Sequence, residues 1–117
     1  MDERLSKALE FSNYMTTINN QKRMFKEQYF ENLIYFYQGG QFTVTKELVT
    51  FISLLINQNN VNDVVLIDDN DRPIMIDNLE DFFDNILDTY FTASNKYYQN
   101  YVSLSKKRNV ELLISNE

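Results

Sequence analysis

LIYFYQGGQFTVT, residues 33–45, is where the chain changes period. Upstream, from Asp2 to about Gln28, there is no Gly or Pro and apolar residues recur at helical spacing. Within the segment, β-branched and aromatic residues stand on both sides of Gly39-Gly40, the only two glycines in the chain. That pattern predicts a β-hairpin with Gly39-Gly40 at its turn. A glycine pair that cradles phosphate wants a following helix N-terminus and usually a Lys, whereas the strand-like Phe42-Thr43-Val44 follows here.

The upstream stretch predicts a long first helix, which at about 1.5 Å per residue would reach roughly 40 Å. Ala8, Phe11, Met15, Ile18, Lys22, Phe25 and Tyr29 step along it by threes and fours. Lys22 is the polar interruption, a place where a snorkelling side chain or a register-fixing group is expected. Downstream, Thr45 is a candidate cap for a short helix with Leu48, Phe51, Ile52 and Leu55 on one face, ending in the polar run Asn57 to Asn60. A second hairpin is predicted in DVVLIDDNDRPIMI, residues 63–76, with Asp68-Asp69-Asn70-Asp71 as its turn and Pro73 opening an edge strand. Asp77 stands three residues before Glu80, a capping-box spacing, and predicts a last helix running to roughly Lys107, with Lys106, Lys107 and Arg108 at its C-terminal end. Phe83, Leu87, Tyr90, Ser94, Tyr97, Tyr101 and Leu104 form its stripe.

The expected fold is therefore α+β: long N- and C-terminal helices, two β-hairpins forming a small antiparallel sheet, and a short middle helix. At 117 residues, one domain spanning residues 1–117 is the expectation. A stripe held at a period of about 3.5 over about three heptads needs a facing helix, from the same chain or from a second copy. The candidate interface is accordingly Phe11, Met15, Ile18, Phe25, Phe83, Leu87, Tyr90, Tyr97 and Tyr101, and a homo-oligomer is expected.

Composition narrows the chemistry. The chain has no His and no Cys, so a His/Cys zinc site, a thiol nucleophile and a Ser-His-Asp relay are all excluded. Net charge is −6, the wrong sign for affinity built on neutralising phosphates, and nucleic acid is not an expected partner. No apolar run approaches the ~18–20 residues of a membrane span, and MDERLSKALE lacks a secretory core, so a soluble, unexported protein is expected. Residues 63 to 88 hold nine carboxylates and the single cation Arg72, either a solvated face or a docking surface for a basic partner.

Three constellations hold residues of chemical interest. The acidic turn 68–71 offers oxygen ligands, and Glu80 falls at the right final distance for a calcium loop counted from Asp69. Pro73 then occupies a ligand position and no Gly supplies the bend, so a polar turn is the better reading. Asp77, Asp81, Asp84 and Asp88 share one helical face opposite the Phe83 stripe, which places them in solvent rather than in a perturbed acid–base cluster. Tyr90, Phe91, Tyr97, Tyr98 and Tyr101 would make a base-stacking platform if basic residues accompanied them, but the sequence puts none among them beyond Lys96. No catalytic residue, metal or cofactor is expected.

Asn, Ile, Tyr and Phe are abundant while Ala, Gly and Pro are scarce, as AT-rich coding produces. Taken together, MDERLSKALEFSNYMTTINNQKR, QGGQFTVTKEL and VVLIDDNDRPI resemble a family of small proteins from T4-like marine phages, cyanophages especially, described as prohead core components. The resemblance spans nearly the whole chain and implies a non-enzymatic scaffold part that packs with other head or core proteins inside an immature head in the host cytoplasm. Members of that class are commonly cut after a Glu that has Leu or Ile two positions earlier; no Glu in this chain has that neighbour. A small acidic phage adaptor that binds and redirects a host protein through residues 63–88 is the alternative.

Overall fold

The computed structural model describes the backbone of residues 2–115 and the side chains of residues 2–106. Seven elements follow in order: α1 (Glu3–Asn32), β1 (Ile34–Tyr37), β2 (Gly40–Thr43), α2 (Lys46–Asn57), β3 (Asn62–Ile67), β4 (Pro73–Asn78) and α3 (Leu79–Ser115). They form two compact units, one from residues 29–95 and one from residues 1–28 together with 96–117. The α+β class and the long terminal helices are as the sequence predicts. The two hairpins, however, stay as separate two-stranded antiparallel sheets and do not merge into one.

In the unit of residues 29–95, Tyr37 pairs with Gly40, so Gln38 and Gly39 are the two turn residues, at φ 45° and 80°. Positive φ at both central positions is the backbone of a type I′ turn, which matches the twist of its strands. The turn thus sits one residue before the expected Gly39-Gly40. Gly40 serves a different purpose, because a Cβ there would lie 2.7 Å from Ile74 Cγ1 of β4. Thr45 caps α2 as expected, its hydroxyl accepting from the Leu48 amide at 3.1 Å. Asn59, at φ 65°, ends that helix in a Schellman motif: the Asn60 amide donates to the Leu55 carbonyl and the Asn59 amide to that of Ile56.

The core of this unit comprises Leu33, Phe42, Val44, Ile52, Leu66, Ile76, Leu79, Phe82, Ile86 and Ala93. Phe82 is its hub, meeting Tyr35, Tyr37 and Phe42 edge-to-face at 5.5, 5.4 and 5.2 Å. Two sequence expectations are corrected here. The buried seam of α3 runs through Leu79, Phe82, Ile86 and Ala93, and Phe83, Leu87 and Tyr90 flank it half-buried. On α2, Leu48, Val49, Leu55 and Ile56 accompany Ile52 against the core, while Phe51 points to solvent.

The N-cap of α3 is Asn78, whose Oδ1 accepts from the Asp81 amide at 3.2 Å. Asp77 belongs to β4 and is not the cap. The helix continues to Ser115, so Lys106 is not at its end; the Lys107 and Arg108 side chains lie outside the described residues.

Among the described residues the second unit is helical from Glu3 onward. Residues 3–28 of α1 and 96–115 of α3 contribute to it. Among its described side chains Ile18, 1% exposed, and Leu104, 5% exposed, are the buried ones.

Candidate protein-interaction site

The predicted acidic turn is a structural joint. The Asp68 side chain is fully buried and its carboxylate accepts from four groups: the amides of Asn70 (3.0 Å) and Arg72 (2.8 Å) on Oδ1, and the Gln41 amide (3.1 Å) and Arg72 Nε (3.2 Å) on Oδ2. Arg72 Nη2 completes an ion pair at 3.1 Å. Burial alone would raise the carboxyl pKa, but the three amide donors and the Arg72 charge outweigh it and hold Asp68 below the ordinary aspartate value. Asp69 adds a second clamp, accepting from the Thr43 amide at 3.1 Å and the Thr43 hydroxyl at 2.7 Å. These carboxylates are committed to protein donors. Among the described residues no group of three or more acidic side chains is placed to hold a metal ion.

Among the described residues, three surfaces offer apolar area for contact with a partner. On the β3–β4 hairpin, Val65 pairs with Met75 across the strands and Ile67 lies two residues on, all three exposed on the face away from the buried Leu66 and Ile76. A shallow depression of about 260 Å³ lies between α2 and α3, lined by Lys46, Val49, Thr50, Leu87, Tyr90 and Phe91. The helical unit carries the third, a half-open groove of about 330 Å³. Lys22, Arg23, Phe25 and Lys26 line it from α1, and Tyr97, Tyr101 and Leu104 from α3.

That groove unites three of the nine residues expected at an interface, Phe25, Tyr97 and Tyr101. Of the others in the same unit, Ile18 is covered by its own chain, Met15 is half-buried and Phe11 is 53% exposed. Phe83, Leu87 and Tyr90 belong to the other unit; Phe83 and Tyr90 pack on its core.

The groove also brings cations to the tyrosines, which the sequence keeps some seventy positions apart and which linear reading therefore missed. The available signal was Lys22, Arg23 and Lys26 at helical spacing beside the Phe25 stripe. Arg23 reaches Glu27 only at 4.0 Å, with both side chains exposed, an arrangement of little energetic weight. Lys22 and Lys26 have no ion-pair partner among the described residues.

No protein-family model, curated protein or solved structure matches this chain. No helix among the described residues is long and apolar enough to cross a membrane.

Proposed function

We propose that this chain is a non-enzymatic assembly protein that associates with further copies of itself through its helices. In the role the phage-core resemblance implies, it is a structural component of a T4-like phage head, working in the host cytoplasm beside other head or core proteins. The observation that carries the self-association is the thinness of the helical unit. Among its described side chains the buried ones are Ile18 and Leu104, contributing about 1.5–3 kcal/mol each. Ordering a backbone costs about 1–2 kcal/mol per residue, and helices draw most of their stability from packing against neighbours. A pair of long helices with so few described side chains buried between them is completed by another helix.

Light scattering at micromolar concentration tests the reading, with oligomers expected and a monomer overturning it. Tyr101, 55% exposed, is the informative position for substitution, because Ile18 already serves packing within its own chain. Tyr101→Asp is expected to reduce association while the circular-dichroism spectrum stays that of the parent.

The outer face of β3–β4 supports a second reading, the host-directed adaptor. Val65, Ile67 and Met75 form an exposed apolar strip with Asp63 and Asp77 on the same strands, chemistry suited to a basic, amphipathic partner. A monomeric wild-type protein would shift the weight to this face.

A further inference from the structure

Charge is divided unequally between the two units. Residues 1–28 and 96–117 hold nine cations and six carboxylates, a formal +3, whereas residues 29–95 hold two cations and eleven carboxylates, a formal −9. The two values account for the whole-chain −6. The basic unit concentrates Lys22, Arg23 and Lys26 beside Tyr97 and Tyr101 in one groove. On the acidic unit, Asp81, Asp84 and Asp88 lie along the outer face of α3 at i, i+3 and i+7, all exposed, with no ion pair to any of them among the described residues. Phe91 continues that side of the helix and is 55% exposed.

We infer that the groove is the docking site for the Asp81/Asp84/Asp88/Phe91 face of a second copy of this chain. This rests on the self-association proposed above and names the two surfaces that meet. The dimensions agree: Asp81 to Asp88 spans seven residues, about 10 Å of helix, and so does the stretch from Tyr97 to Leu104 along the groove. A third helix laid between two others buries apolar surface from all three, with Phe91 entering beside Phe25 and the carboxylates meeting the lysines and arginine at the rim.

Nucleic acid fits this groove less well. Three cations release few counterions, and the formal −9 of the other unit repels a polyanion. The arrangement joins unlike patches, so it closes by reciprocal exchange in a dimer or continues from copy to copy.

Sedimentation velocity on the full chain and two charge-reversed variants tests the inference. The arm variant carries Lys22→Glu, Arg23→Glu and Lys26→Glu; the body variant carries Asp81→Lys, Asp84→Lys and Asp88→Lys. Wild-type association is expected to weaken at least tenfold between about 0.01 M and about 1 M salt, where the screening length falls from roughly 30 Å to 3 Å. Each variant alone is expected to be largely monomeric, and an equimolar mixture to recover wild-type assembly, because each supplies the charge the other needs.

A misfolded variant would show in its circular dichroism and would not be rescued by mixing. The neutral set Asp81→Asn, Asp84→Asn and Asp88→Asn then serves instead, with association weakened at low salt. If oligomers persist unchanged in the variants and at high salt, this docking is overturned while self-association stands. A wild-type monomer at low salt overturns both. Capture of a single-stranded oligonucleotide by the wild type but not by the folded arm variant, without change in self-association, would reassign the groove to nucleic acid and reject the inference.

Discussion

Replacing Phe82 by Leu removes the ring that three others face while keeping an apolar side chain of similar bulk. Tyr35, Tyr37 and Phe42 each meet Phe82 edge-to-face at 5.2–5.5 Å, and such pairs are worth about 0.5–1.5 kcal/mol each beyond burial. Allowing for partial relaxation, the loss is about 2–4 kcal/mol. Domains of this size shift by about 4–8 °C per kcal/mol, so Tm is expected to fall by roughly 10–25 °C. Phe83→Leu is the matched control, since Phe83 is only half-buried and meets no comparable ring cluster among the described residues; its cost is expected below about 1 kcal/mol. Urea unfolding followed by near-ultraviolet circular dichroism reads both. Equal losses for the two variants, or a larger loss at Phe83, would refute the placement of α3 against the first hairpin.

Because the Asp68 pKa is depressed in the folded protein, its contribution to stability is complete above the unfolded aspartate pKa of about 3.9 and is lost as pH falls through the lower folded value. Urea midpoints are therefore expected to fall more steeply below about pH 4 in the wild type than in Asp68→Asn; equal slopes would contradict the assignment. Gln38 occupies a left-handed turn position, so Gln38→Gly relieves strain of about 1–2 kcal/mol and adds an entropic cost of about 0.5–1. A net gain of about 0.5–1 kcal/mol is expected in the same urea assay. The Ser94 hydroxyl is buried with no hydrogen-bond partner among the described residues, and Ser94→Ala is expected to be neutral or to stabilise by up to about 1 kcal/mol, read as a small rise in Tm.

Local grammar made most of the fold legible. Alternation around the glycine pair, the Thr45 cap and the Gly/Pro-free ends each report on contacts a few residues apart. The misplacements arose where distant contacts decide. Gly39 and Gly40 have separate duties, a positive φ and room for Ile74, and the second depends on a strand more than thirty residues away. Phe82-Phe83 and Ile86-Leu87 are adjacent apolar pairs, so periodicity alone fits two seams about one residue apart. The three rings of the first hairpin select Phe82. Asp68 and Asp69 read as a polar turn because two of the amides they serve, those of Gln41 and Thr43, belong to the distant β2. The basic, tyrosine-lined groove exists only once α1 and the second half of α3 lie side by side. Stripe residues were identifiable from spacing; which of them the chain itself would cover was not.

The joint made by Asp68 and Asp69 has one more effect. In the β1–β2 ladder the amides of Gln41 and Thr43 point away from β1, and both are taken by carboxylates of that joint, while the Gln41 carbonyl accepts the Asp69 amide at 2.8 Å. An unpaired row of such groups is an open template for a foreign strand. Here the template is plugged by negatively charged side chains, so β2 is shielded from adding a foreign strand. Of these backbone groups, Asp69→Ala would free only the Thr43 amide, while Asp68 and the Asp69 backbone would keep the Gln41 groups engaged.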